Sequence, residues 1–373
     1  MKFIKKEIVL CISILLAVIS SCLVLPDREY LSYIDMRTIV ILFCLMAVVA
    51  GFQRMGVFRV IARKLLERVK GGFELVAILV LLCFFFSMII TNDVALITFV
   101  PLGIQVLGIL GEDTKEKMLI PVVVLQTLAA NLGSMLTPIG NPQNLYLYAK
   151  SGMNWFGFFR LMCPYAILSL LMLLLCCWGA GRKMQTEKVS LTETEDCGGW
   201  KKKELGGWVL LFFLCLLAVA GVVHYMVVLA VVAAVAGVME RRIFGRVDYA
   251  LLGTFAAFFI FVGNMGRLPG ISQTLESVIK GNEVITSIAA SQIISNVPAA
   301  LLLAGFTENI PGLIIGTNLG GLGTLIASMA SLISFRYVGA ENKRKRLPYL
   351  KQFSIANIFF LIVLFVFYKT GIV

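Results

Sequence analysis

Charged residues are scarce in this chain, and histidine is almost absent. Asp, Glu, Lys and Arg make up 14% of the 373 residues, against about a quarter of an average soluble domain. The single histidine, His224, argues against a histidine metal site or a Ser-His-Asp triad, and the nine cysteines have no CxxC or Cys/His spacing. The sequence therefore predicts no transition metal, no cofactor and no enzyme activity.

A phosphate-binding loop is missing as well. The glycines between residues 316 and 323 are not followed by the Lys-Ser or Lys-Thr pair that holds a nucleotide phosphate. This absence argues against nucleotide binding and against a pump driven by ATP.

The chain is rich instead in long apolar runs. Hydrophobic residues make up 59% of it and the mean hydropathy is +0.93. Several runs reach the length of about 20 residues that a helix needs to cross a bilayer. We therefore predict an all-α polytopic membrane protein with roughly ten spans.

Lys and Arg, which give a formal net charge of +12, cluster in the short connections between apolar runs. Such clusters mark the cytoplasmic side of a membrane protein. They predict a multi-pass protein of the cell inner membrane with a cytoplasmic N-terminus, a lipid bilayer as partner and no nucleic acid. The first apolar run follows Lys2, Lys5 and Lys6 like a signal peptide, but we expect an uncleaved span. The basic stretch at residues 54–70 fits an amphipathic surface helix or an ordinary loop helix equally well.

Residues 131–144 are too rich in Gly, Pro and Asn to continue a helix, although they lie between apolar segments. A reduced copy starts at Asn318, where Asn-Leu-Gly, a Thr and an Ile recur in the same order. A short polar motif precedes each copy, Thr91-Asn92-Asp93 and Ser295-Asn296. We interpret the two copies as re-entrant hairpins and the two polar motifs as breaks within helices, in an inverted repeat.

The repeat predicts three regions. Residues 1–180 form the first repeat, residues 181–205 a polar cytoplasmic linker, and residues 206–373 the second, inverted repeat.

Helix breaks at membrane depth expose unpaired amides and carbonyls, which attract anions and cations respectively. Asp93 adds a carboxylate that is costly to bury. It is expected to bind a cation or titrate, or alternatively to cap the half-helix that begins near Val94.

At these residues the chain resembles the ion transporter superfamily. The resemblance rests on the motif from Thr91 to Leu96 and on the run from Asn131 to Asn144, and it covers nearly the whole chain. Members include citrate and other divalent-anion/sodium symporters, arsenite efflux permeases and sodium/proton antiporters.

The resemblance implies a moving, elevator-type transport domain and a scaffold domain that forms a homodimer. It also implies sodium or a proton as the coupling ion, and sodium at the ion-binding residues. Substrate contacts are then expected from Thr91, Asn92, Asp93, Asn141, Pro142, Asn144, Ser295, Asn296 and Thr324. Ion contacts are expected from Asn92, Asp93, Asn131, Gly133, Thr137, Asn296, Asn318 and Gly320.

The chain departs from the symporter pattern at Asp93, at Val297-Pro298, and in the second copy, which lacks the Gly-Asn-Pro continuation. These departures predict that the tighter ion site lies in the first half.

Three functions fit the sequence. The leading hypothesis is a secondary transporter of a small anionic substrate, a carboxylate such as citrate or a dicarboxylate, coupled to sodium or protons. The second is an arsenite-type efflux permease or a sodium/proton antiporter, with Asp93 cycling a proton. The third, from another class, is a membrane receptor or scaffold that does not transport.

Overall fold

The computed structural model describes residues 7–182 and 202–371, in which every regular element is a helix. Seven helices in this part of the chain are long and apolar enough to cross a membrane, and three shorter helices are apolar. The all-α polytopic fold class is thereby confirmed. Of the predicted linker, residues 183–201 lie outside the described residues, as do Lys2, Lys5 and Lys6.

The helices before the linker have the following bounds: α1 (Ile8–Leu23), α2 (Tyr30–Tyr33), α3 (Met36–Arg54), α4 (Val57–Leu66), α5 (Gly72–Ile90), α6 (Asn92–Ile109), α7 (Glu112–Ser134), α8 (Pro142–Ser151) and α9 (Trp155–Gly181). Those after it are α10 (Lys202–Val219), α11 (Tyr225–Glu240), α12 (Tyr249–Gly266), α13 (Pro269–Ile279), α14 (Glu283–Ile294), α15 (Asn296–Leu303), α16 (Ile310–Gly320), α17 (Met329–Glu341) and α18 (Arg346–Lys369). Short 3₁₀ turns occupy Arg241–Arg246 and Lys343–Lys345.

Several helices begin at a side chain that pairs with the otherwise unsatisfied amides of the first turn. Asp35, Asn154, Asp248 and Asn309 each accept a hydrogen bond from the amide three residues later, at 2.7–3.1 Å. These caps fix where the spans start. The basic stretch that the sequence left open contains α4, whose residues Phe58, Ala62 and Leu66 are buried in the bundle.

Polar contacts define two ends of the bundle. At one, which we call the basic end, Arg54 pairs with Glu240 and Lys115 pairs with Glu341 at 2.8 Å. At the other, the opposite end, Arg267 pairs with Asp27 at 2.6 Å. The side chain of Arg37 also reaches the carbonyl oxygens that end α10 there.

The helix pair α14–α15 is a hairpin that enters and leaves at the opposite end. Glu283, at the start of α14, accepts a hydrogen bond of 3.1 Å from Thr307, just beyond α15. The pair α5–α6 is a hairpin that enters and leaves at the basic end. Phe73, near the start of α5, contacts Gly181 at the end of α9. Gln105, near the end of α6, lines a cleft together with Arg59. The chain reverses at Thr91 in the first hairpin and at Ser295 in the second.

The helix pair α7–α8 crosses the bundle, with a break at residues 135–141. Lys115 near its start lies at the basic end, whereas Lys150 near its end hydrogen-bonds the carbonyl of Ala304 at the opposite end. The pair α16–α17 crosses in the other direction, with its break at residues 321–328, because Glu341 lies at the basic end.

Our assignment of tips and breaks from the sequence was therefore wrong, and the two roles are exchanged. The polar motifs at Thr91 and Ser295 are the hairpin tips, and the Gly- and Pro-rich copies are breaks in crossing helices. One residue with a positive φ, Thr91 or Ser295, is enough to reverse the chain at each tip. Pro142 instead stands at the first position of α8, where the crossing helix restarts in its original direction. The hairpins and broken helices themselves were predicted correctly.

The exchanged roles predict the sidedness of four exposed positions. In a cysteine-free background, Lys70→Cys and Glu112→Cys should react with a membrane-impermeant thiol reagent from one side, since both flank a hairpin. Lys280→Cys and Glu308→Cys should react from the other side. Labelling of residues 70 and 112 from opposite sides would contradict the hairpin.

Candidate functional site

The two hairpin tips share one unusual backbone geometry. Thr91 has φ 73° and ψ 152°, and Ser295 has φ 74° and ψ 154°. Within the described residues they are the only non-glycine residues with positive φ. Such a conformation costs on the order of 1–3 kcal/mol and persists only where its surroundings enforce it.

Each tip is held by the break of the crossing helix in the same half. The amide of Asn92 donates to the carbonyl of Gly140 at 3.1 Å, and the amide of Asn296 donates to the carbonyl of Ala327 at 3.0 Å. Gly140 and Ala327 occupy equivalent positions in the two copies. The same tip-to-break contact is thus built twice.

Asn131 connects the first half to the second. Its side-chain oxygen accepts hydrogen bonds from Asn92 at 3.2 Å and from Ser328 at 3.0 Å. Its nitrogen donates to Ser331 at 3.3 Å. Asn131 is 7% exposed, so these bonds lie in the interior.

Asn318 makes the equivalent connection in reverse. Its side-chain oxygen accepts from Asn141 at 3.3 Å, and its nitrogen donates to Asn144 at 2.6 Å. In the repeat, Asn141 corresponds to Ser328 and Asn144 to Ser331. Each half therefore offers one asparagine to the same two positions of the other half, as a twofold relation between the breaks requires.

Close helix contacts accompany the breaks. A methyl group added at Gly133 would lie 2.0 Å from the carbonyl oxygen of Phe84 on α5. At the equivalent Gly320 it would lie 2.5 Å from the hydroxyl of Ser291 on α14. Only glycine lets the hairpin arm approach the broken helix this closely.

A small cavity of about 80 Å³ lies between the tips and the breaks. It has room for several water molecules or a small solute. Six helices present residues of their first turn to it, namely α1, α6, α8, α12, α15 and α17. Its lining also includes Glu7 at the start of α1, and Asp248 and Thr254 at the start of α12.

Opposing charges meet at this cavity. A helix N-terminus carries roughly half a positive charge, so six of them supply about three. Asp93 and Asp248 supply two carboxylates and Glu7 a third, and no Lys or Arg is among the described lining residues. Asp93 makes no side-chain hydrogen bond to the amides of α6, so the capping alternative finds no support in the described contacts.

Gln143 is a cavity residue that sequence reasoning missed. It is 1% exposed, and neither its amide oxygen nor its amide nitrogen has a hydrogen-bond partner within the described residues. A buried unpaired carboxamide costs about 1–3 kcal/mol per group, so a ligand or a water molecule in the cavity that bonds to Gln143 would stabilise it. Its position between Pro142 and Asn144, at the first turn of a restarted helix, was the available signal. Asp248 was also missed, because it follows a basic turn that resembles an ordinary connection.

The predicted site residues fall into three groups. Four line the cavity, Asn92, Asp93, Pro142 and Asn296. Another four form the asparagine contacts between the halves, namely Asn131, Asn141, Asn144 and Asn318. The rest support the backbone and do not line the cavity: Thr91 and Ser295 turn the tips, Gly133 and Gly320 pack against hairpin arms, and Thr137 and Thr324 bond to α5 and α14.

Comparison with known proteins places this chain in a family. Residues 2–310 match the family model described as citrate transporter. The chain is 35% identical to an inner membrane protein, YbiR, of Escherichia coli over 83% of this chain and 82% of that protein. It is 32% identical to an uncharacterized transporter of Methanocaldococcus jannaschii over 84% of each chain. It is 29% identical to the silicon efflux transporter LSI3 of Oryza sativa over 41% of this chain and 31% of that protein.

Gly133→Ala should destabilise the protein by about 1–3 kcal/mol, since the added methyl group meets backbone that cannot move aside. Gly179→Ala on α9 is the control, because nothing lies within 4 Å of its added methyl group. The control should be neutral or stabilising by up to about 1 kcal/mol. Equal thermal unfolding temperatures for the two variants would contradict the close contact.

Asn141→Ala should impair transport more than Ser328→Ala. Asn141 makes three side-chain hydrogen bonds, to the amide of Asn144, to Ser134 and to Asn318, whereas Ser328 bonds Asn131 alone. Each bond is worth about 1 kcal/mol. Asn92→Ala should impair transport as much as Asn141→Ala does. The measurement is the initial uptake rate at matched expression, and a lower rate for Ser328→Ala than for Asn141→Ala would contradict this ranking.

Proposed function

This chain belongs to the citrate transporter family, and on that premise we propose a secondary transporter that carries a small anion together with a proton on Asp93. A carboxylate, such as citrate or a dicarboxylate, is the substrate class to which the family description points. The basic end would face the cytoplasm, as the distribution of Lys and Arg suggests. The hairpins and broken helices would move as one unit against the remaining helices of a homodimer.

The charge balance at the cavity supports proton coupling. The three carboxylates of Asp93, Asp248 and Glu7 offset the positive charge of the six helix N-termini. A proton on Asp93 would then leave the site with a net positive potential, which favours an anion.

The size of this effect is large enough to decide binding. Two like charges about 4 Å apart repel by about 4 kcal/mol at an effective dielectric constant of 20. That energy corresponds to nearly three orders of magnitude in affinity. At that separation, protonation of one carboxylate would strengthen anion binding by the same factor.

A second candidate is transport of an uncharged oxyacid, such as arsenous or silicic acid at neutral pH. It is favoured by the unpaired carboxamide of Gln143, which can accept from one hydroxyl and donate to another. The absence of Lys and Arg among the described lining residues also suits a neutral substrate. The partial similarity to a silicon efflux transporter agrees with this candidate.

Proteoliposomes with an imposed pH gradient test both candidates. We expect an inward proton gradient to drive uptake of one of citrate, succinate or malate, and Asp93→Asn to abolish the gradient dependence. Substrate exchange without a gradient should survive in that variant, because an amide resembles the protonated acid. Gradient dependence that persists in Asp93→Asn would contradict the assignment of the proton.

Asp113→Asn is the matched control, since Asp113 is exposed and lies near the start of α7, far along that helix from the break. It should transport like the wild type at every pH. Uptake of arsenite with none of the three carboxylates would favour the second candidate.

A further inference from the structure

The two breaks differ in how their backbone oxygens are paired. In the second break, the side-chain nitrogen of Gln292 donates to the carbonyls of Gly320 at 3.0 Å and Leu322 at 2.9 Å. Its side-chain oxygen accepts from the amide of Thr324 at 2.9 Å. One carboxamide thus joins three backbone groups of the break to the hairpin arm α14.

The backbone around Gln292 is shaped to receive this carboxamide. Gly323 has φ 110°, and a methyl group added there would lie 2.3 Å from the side-chain oxygen of Gln292. A side chain at position 323 would displace the carboxamide of Gln292.

The first break has no glutamine at the position equivalent to Gln292. Met88 stands where Gln292 does, three residues before the hairpin tip, and it offers only its backbone oxygen, to Thr137. The carbonyl oxygen of Met135, equivalent to that of Leu322, accepts no hydrogen bond from the described residues. Asn144 reaches two neighbouring carbonyls, those of Ser134 and Thr137, at the longer distances of 3.4 and 3.3 Å.

Carbonyl oxygens at the end of a half-helix have two alternatives in a membrane. They bind a cation or an ordered water, or they take a hydrogen bond from a donor inside the protein, and only the last of these excludes a coupling ion. An amide N–H carries positive charge toward the oxygens as a cation does, but it is covalently fixed and cannot leave.

We propose that the side-chain amide of Gln292 occupies the place of a cation in the second break, so that only the first break can bind a coupling ion other than the proton. The role of this difference in transport rests on the proposed function. It limits any sodium coupling to one ion per cycle. Gln292 is on this account a positioning residue that determines ion specificity.

Substitution of Gln292 by glutamate turns the donor into an acceptor. The carboxylate can still accept from the amide of Thr324, but its second oxygen then faces the carbonyls of Gly320 and Leu322. Three oxygens with a net negative charge make a site for a small cation. Gln292→Glu should therefore be unstable without sodium and recover when sodium is added.

The test is thermal unfolding of the purified full-length protein, without substrate, in sodium chloride and in choline chloride at equal ionic strength. Gln292→Glu should unfold at a lower temperature than the wild type in choline and regain several degrees in sodium. This regain should exceed any sodium effect on the wild type. A sodium effect on Gln292→Glu no larger than that on the wild type would overturn the proposal.

Gln126→Glu is the matched control. The nitrogen of Gln126 also donates to two carbonyls, those of Leu79 and Phe99, but both lie within continuous helices. This variant should lose stability without any recovery in sodium. Recovery equal to that of Gln292→Glu would show a general salt effect and overturn the proposal.

Gln292→Met keeps the proposal testable if the glutamate variant does not fold. This substitution places in the second half the residue type found at Met88 and frees the carbonyls of Gly320 and Leu322. Sodium should therefore stabilise this variant more than it stabilises the wild type. Identical behaviour of Gln292→Met and the wild type in both salts would overturn the proposal, as would two sodium ions bound to the wild type in a titration. Because no substrate is present, these results do not depend on whether the protein carries an oxyacid.

Discussion

Backbone groups without a partner at membrane depth are the constraint on which this structure depends. Two hairpins and two broken helices leave amides and carbonyls that lipid cannot satisfy. The protein pairs them with each other: the first amide of each hairpin arm bonds to the break in the same half, through Asn92 and Asn296. The asparagine side chains then join the two breaks. The cavity lies where these contacts converge and where helices α6, α8, α15 and α17 begin.

The same arrangement would let the cavity attract the proposed anion although no Lys or Arg is among its described lining residues. Helix N-termini provide positive potential without a charged side chain, and they keep this potential whether or not the site is filled. Carboxylates at Asp93 and Asp248 offset it. Under the proposed mechanism a site balanced in this way would respond to one proton, whereas a site lined with arginine would hold an anion at any physiological pH.

Much of the fold and of the candidate site could be predicted from the sequence, and the features that could not be predicted were missed for physical reasons. Hydropathy and the internal repeat identified the membrane class, the paired polar motifs and most residues of the asparagine network. They did not reveal which motif reverses the chain. Reversal at Thr91 depends on one residue with a positive φ, and a threonine in the sequence does not indicate that conformation as a glycine would. Gln143, Asp248 and Gln292 escaped notice for a related reason. Their importance comes from neighbours distant in sequence, and each residue type is common near helix ends.

The central claim is that the two halves share one site through reciprocal asparagine contacts, and a double-mutant cycle on Asn144 and Asn318 tests it most directly. Unfolding free energies of Asn144→Ala, Asn318→Ala and the double variant would give the coupling between the two side chains. The 2.6 Å bond between them predicts a coupling of about 0.5–3 kcal/mol. Strictly additive effects would contradict a shared site.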